Sequence, residues 1–83
     1  MLYNKKILRN GEKTMLEIKL REEYIKLGQA LKAVGLVESG VEAKDVIVNG
    51  EVKVNGATEV QRGKKLYDGD VVSFAGEQIK IIK

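Results

Sequence analysis

The hydrophobic period of the chain switches between two and three-to-four residues, and the switches mark its elements. Leu16, Ile18 and Leu20 alternate with Glu17, Lys19 and Arg21, the two-residue period of a strand with one buried face. Tyr24 and Ile25 follow a charged turn and lead into a different rhythm. Leu27, Ala30, Leu31 and Val34 repeat at i, i+3, i+4 and i+7, which predicts a short amphipathic helix over about 26–34. Gly28 sits inside it at a cost of about 1 kcal/mol relative to alanine, and close packing against a second helix would account for it. Gly35 ends the helix.

The stretch from Ser39 to Gly56 turns the chain from helix to sheet. Ser39 and Glu42 form a Ser-x-x-Glu capping box, in which the serine oxygen accepts a free backbone N–H of the first turn and the glutamate reaches back. Val37 is placed to pack on that turn. Ala43, Val46 and Ile47 make one apolar stripe, and Asn49-Gly50 suits the helix end because glycine enters the left-handed region without a Cβ clash. Val52 and Val54 then alternate with Glu51 and Lys53, and Asn55-Gly56 is a strong hairpin signal. Thr58 and Val60 are read as the returning strand, and Gln61 to Lys65 as a basic loop. Leu66 and Tyr67 lead to an Asp68-Gly69 turn, Val71 to Phe74 form a strand, and Gln78 to Lys83 close the chain with Ile79 and Ile81 on one face. Residues 16–20 are expected to pair with this last strand. The pattern predicts an α+β fold with two short packed helices on a small, mainly antiparallel sheet.

Residues 1–14 show no clear period and are read as a basic leader, a solvated tail; residues 15–83 are read as one domain. With 83 residues, most apolar side chains must serve a single core. No apolar run approaches the roughly 20 residues needed to span a bilayer, the start lacks the apolar segment of a signal peptide, and the absence of cysteine suits a reducing compartment. The expected location is cytoplasmic.

Charge changes the picture only locally. The net charge of +3 comes from the leader, because residues 15–83 hold eleven basic and eleven acidic side chains. Within the domain, residues 22–51 carry three lysines against six acids, whereas residues 52–66 carry Lys53, Arg62, Lys64 and Lys65 against Glu59 alone. A local basic patch binds polyanions through its local field even on a neutral domain.

Catalytic signals are missing. Without histidine or cysteine the chain lacks the usual general base, the nucleophilic thiol and the common transition-metal ligands. Arg62-Gly63-Lys64-Lys65 has no glycine-rich loop ahead of it, so it is not a phosphate-cradling P-loop. Asp68 and Asp70 read as turn residues that bond their own backbone. No catalytic residue, metal site or cofactor is expected. Lys44, on the flank of the second helix stripe, could share a surface with Lys53, Arg62, Lys64 and Lys65 if the hairpin folds beside the helix. Lysines serve phosphates as point charges, and arginine adds a bidentate fork. With only Tyr3, Tyr24, Tyr67 and Phe74 as aromatics, a stacking platform for single strands has little support, and backbone recognition of folded RNA fits better.

The run Leu27-Gly28-Gln29-x-Leu31-Lys32, then Ser39-Gly40-x-x-Ala43-Lys44, Gly50-x-Val52-x-Val54-Asn55-Gly56, Gly63-x-Lys65-Leu66 and Gly69-Asp70-Val71-Val72 resembles the RNA-binding domain of small-subunit ribosomal protein S-four, most closely its short stand-alone bacterial members. The resemblance covers about residues 16–82. It implies a helix pair of the alpha-L type on a small sheet and a non-catalytic, ribosome-associated protein. Its partner would be structured ribosomal RNA or a ribosome precursor, held through phosphate contacts at Lys32, Ser39, Lys44, Lys53, Arg62, Lys64 and Lys65. Many members have arginine directly after the serine; here it is Gly40, one phosphate contact fewer. The rival reading is a protein-interaction module docking on a ribosome-associated partner through its sheet, with the 71–82 hairpin as the surface.

Overall fold

The computed structural model describes residues 3–7 and 15–83. Its elements run β1 (Tyr3–Ile7), β2 (Met15–Lys19), β3 (Ile25–Lys26), α1 (Leu27–Ala33), α2 (Gly40–Val48), β4 (Val52–Val54), β5 (Ala57–Thr58), β6 (Lys65–Leu66), β7 (Val71–Phe74) and β8 (Glu77–Ile82). Two-residue alternation puts Leu16 and Ile18 of β2, Val52 and Val54 of β4, Val72 of β7, and Ile79 and Ile81 of β8 on one sheet face. Leu27, Ala30 and Leu31 of α1 and Ala43 and Ile47 of α2 join them in one core. The architecture is α+β: a helix pair packed on a mixed, mainly antiparallel sheet of order β1-β2-β8-β7-β4-β5.

Both helices end as their glycines predict. Gly35 and Gly50 take φ of +78° and +79°. Gly35 N–H and Leu36 N–H donate to the Lys32 and Leu31 carbonyls, and Gly50 N–H and Glu51 N–H donate to those of Ile47 and Val46. These are Schellman closures, which satisfy carbonyls left over at a helix end. At the start of α2, Glu42 N–H donates to Ser39 Oγ at 3.1 Å, while Glu42 Oε1 accepts from Glu38 N–H at 2.9 Å. The capping box is therefore present, with the glutamate reaching one residue further back than the cap itself.

The expected pairing of residues 16–20 with the last strand is found, and it is parallel: Leu16 faces Ile79 and Ile18 faces Ile81. Asn55 and Gly56, at φ of +52° and +85°, close the β4–β5 hairpin. Asn55 also reaches across to the β6–β7 turn, where Asn55 Nδ2 donates to Asp70 Oδ1 at 3.0 Å and Val71 N–H donates to Asn55 Oδ1 at 2.9 Å. Asp70 Oδ2 accepts from Tyr67 N–H within its own turn, as expected of a turn residue, whereas Asp68 Oδ1 accepts from Lys83 N–H and ties the turn to the end of the last strand.

Three local expectations differ from the structure. The returning strand stops at Thr58, and Val60 is 53 % exposed. Glu59 N–H still donates to the Val52 carbonyl at 3.0 Å, and beyond it Gln61 N–H donates to the Glu59 carboxylate rather than to a strand. Ile25 and Lys26 do not simply lead into the helix; they pair antiparallel with Leu66 and Lys65 as a second, two-stranded ribbon. Tyr3–Ile7, inside the stretch read as a leader, is strand β1, paired antiparallel with β2. Residues 1–2 and 8–14 of that leader lie outside the described residues.

Candidate nucleic-acid interface

The site is built where the loop after β5 returns to the start of α1. Its backbone docks there: the N–H groups of Leu27 and Gly28 donate to the Lys64 and Arg62 carbonyls at 2.9 and 3.0 Å. The first turn of a helix has N–H groups without intrahelical partners, and the basic loop supplies two of them. A Cβ built on Gly28 would lie 3.6 Å from Arg62 and 3.8 Å from the Ala43 methyl. Those are ordinary contact distances, so Gly28 is where α1, α2 and the loop converge.

A groove of about 320 Å³ lies over this junction, lined by Lys26, Gln29, Lys32 and Arg62 around the glycines at 28, 40 and 63. Three cations on a surface without side-chain bulk let a polyanion backbone come close, and among the described residues none of the three is held in an ion pair. Lys32 follows buried Leu31 and is exposed, as helical periodicity requires. Arg62 is held through its backbone while its side chain stays exposed.

Of the residues singled out in the sequence, the structure brings Lys32 and Arg62 together. Lys64 follows in the same docked loop and Lys65 opens β6; both are exposed. Lys44 is exposed on α2, one turn beyond Gly40. Ser39 caps α2, so its oxygen is already engaged by Glu42 N–H. Lys53 stands apart. It lies between buried Val52 and Val54, so it emerges on the sheet face opposite the helices, beside Ser73 and Thr58. The hairpin does not fold back beside α2 in the way that would unite all five basic residues.

Lys26 is the groove residue the sequence reading missed. It precedes α1 as its N-cap, with no side-chain cap bond, and it stands directly opposite Lys65 in the β3–β6 ribbon. Like charges directly opposite on a ladder are destabilising, and Lys is a poor N-cap compared with Asp, Asn or Ser. Neither feature favours stability at this position. The available signal was the fit of Ile25-Lys26 to Lys65-Leu66, too short to read without the fold.

The arrangement defines a small α+β module presenting cations on a helix–loop surface. Residues 18–82 match the S4 domain family, and the chain belongs to it. It is 39 % identical over 62 residues to YbcJ of Escherichia coli, a protein named for RNA binding, covering 75 % of this chain and 89 % of that one. It is 44 % identical over 59 residues to RlbA of Bacillus subtilis, named for ribosome maturation, covering 71 % of this chain and 83 % of the relative. The solution structure of Escherichia coli YbcJ, described as revealing an alpha-L motif involved in RNA binding, superposes with a TM-score of 0.64 at 37 % identity. That match covers 81 % of this chain and 86 % of the other. The helix pair and mixed sheet are the alpha-L fold.

Proposed function

We propose that this chain is a non-catalytic RNA-binding protein that holds structured ribosomal RNA, or a ribosome precursor, by phosphate contacts in the groove between α1, α2 and the basic loop. The observation that carries this is the convergence of Lys26, Lys32 and Arg62 on one open, glycine-floored groove. The names of the relatives, one for RNA binding and one for ribosome maturation, point the same way. The scarcity of aromatics over the groove and its cationic lining favour backbone and shape recognition of a folded RNA.

The test is a titration of labelled ribosomal RNA fragments with the wild type and a Lys32→Glu/Arg62→Glu double variant at several salt concentrations. Three or four phosphate contacts give a slope of about −2 to −4 in log affinity against log salt. Binding that is salt-dependent and lost in the folded double variant supports the reading. Salt-independent binding, or equal binding by both proteins, overturns it. A partner that survives nuclease treatment and high salt would move the function to the protein-docking alternative.

A further inference from the structure

The β3–β6 ribbon has an outward face that the phosphate groove does not explain. Ile25 and Leu66 pair and are buried, so the residues flanking each of them turn outward. Those neighbours are Tyr24 and Lys26 on one side, Lys65 and Tyr67 on the other. Lys26 is opposite Lys65. The rings of Tyr24 and Tyr67 meet with centroids 5.9 Å apart at a tilt of 52°, within the range of favourable aromatic pairs. Lys65 Nζ lies diagonally over the Tyr24 ring at 4.8 Å. The four side chains form one layer, with the two rings paired, the Lys65 charge over the Tyr24 ring and Lys26 beside it.

This layer adjoins the groove, because Lys26 belongs to both. Tyr67 keeps 43 % of its surface exposed although it is braced by Tyr24. Of the acidic residues near the rings, Glu23 is paired with Lys83 Nζ at 3.8 Å and Asp68 accepts from Lys83 N–H at 3.1 Å, while Asp70 Oδ2 is tied to the Tyr67 backbone N–H at 2.8 Å. A braced, exposed ring beside a row of cations is the combination with which nucleic-acid surfaces stack bases while holding the backbone. The tyrosines alone would suit a protein partner as well, but the lysines beside them, a residue type depleted from protein–protein contact surfaces, favour a polyanion.

We propose that Tyr67, braced by Tyr24 and Lys65, stacks one unpaired nucleobase of the RNA whose phosphates occupy the adjoining groove; the inference rests on the RNA-binding reading above. Bases inside an A-form duplex are already stacked and face each other, so the ligand class is a duplex carrying a bulged or looped-out nucleotide next to the bound stretch. Specificity would then come from the position of the unpaired base relative to the helix, with the groove supplying attraction that is indifferent to sequence.

The experiment uses the full chain and two RNA hairpins with the same stem at low salt, one fully paired and one with a single bulged 2-aminopurine. The wild type is expected to bind the bulged hairpin about tenfold more tightly, a stacking increment of ordinary size, with the 2-aminopurine fluorescence changing on binding. Tyr67→Leu should remove the preference and leave affinity for the paired hairpin unchanged, whereas Tyr67→Phe, which keeps the ring, should retain it. Circular dichroism of each variant establishes that it is folded. Equal affinity for the two hairpins in the wild type, a preference that survives Tyr67→Leu, or a Phe variant that behaves like Leu overturns this inference while leaving the groove reading intact. Absence of binding to either hairpin overturns both.

Discussion

Gly40 lines the groove, and a Cβ built on it meets nothing within 4 Å. It also lies outside the left-handed region, so a side chain there is unstrained. An arginine at this position would project from the first turn of α2 beside Lys32 and Arg62. Gly40→Arg is therefore expected to tighten RNA binding and to steepen the salt slope by a little under one unit, the increment for one added phosphate contact, as read by titration at three salt concentrations. Ala75 is the opposite case. It closes the β7–β8 hairpin at φ of +53°, followed by Gly76 at +79°, the same two-residue geometry that Asn55-Gly56 gives the β4–β5 hairpin. Alanine pays about 1–2 kcal/mol in that region, and asparagine tolerates it. Ala75→Asn should stabilise the fold by about 1 kcal/mol, which raises Tm by about 4–8 °C for a domain of this size. It should leave RNA affinity unchanged, because the β7–β8 turn is not part of the groove.

At the scale of the elements, the β3–β6 ribbon and the start of α1 trade stability for charge. Lys26 caps α1 without a side-chain bond and faces Lys65. Lys26→Asp would place a good cap on α1 and turn a like-charge pair into an opposite one. The variant is expected to gain about 1 kcal/mol in a urea unfolding measurement and to lose RNA affinity in the same preparation. Gains in both quantities, or losses in both, would show that Lys26 is not held for its charge. The β4–β5 hairpin has the other kind of role. Its Asn55 is bonded to Asp70 and Val71, so it fastens the two turns at one end of the sheet. It also carries Lys53 on the face away from α2.

For the whole molecule, net charge and local field make different demands. Residues 15–83 are balanced, with eleven basic and eleven acidic side chains, so attraction for a polyanion depends on where the cations stand. Lys32 lines the groove, whereas Lys80 lies between buried Ile79 and Ile81 and emerges on the open face of the sheet. Lys32→Glu and Lys80→Glu change the total charge equally. The first is expected to weaken RNA binding about tenfold and to flatten the salt slope by about one unit, and the second to change either quantity little in the same fluorescence titration. What the sequence by itself determined is local. The cap at Ser39, the closures at Gly35 and Gly50, the turns at Asn55-Gly56 and Asp68-Gly69, and the buried faces of β2, α1, α2, β4 and β8 each depend on residues a few positions apart. Periodicity and turn chemistry therefore record them. Tertiary structure decided the rest: the parallel setting of β2 on β8, Lys26 against Lys65, the Arg62 carbonyl on Gly28, and the meeting of Tyr24 with Tyr67. Contacts between residues more than thirty positions apart leave no period in the chain, and a two-residue strand is too short to show one. The groove and the ribbon beside it are made almost entirely of such contacts, which is why single basic residues were legible in the sequence and their grouping was not.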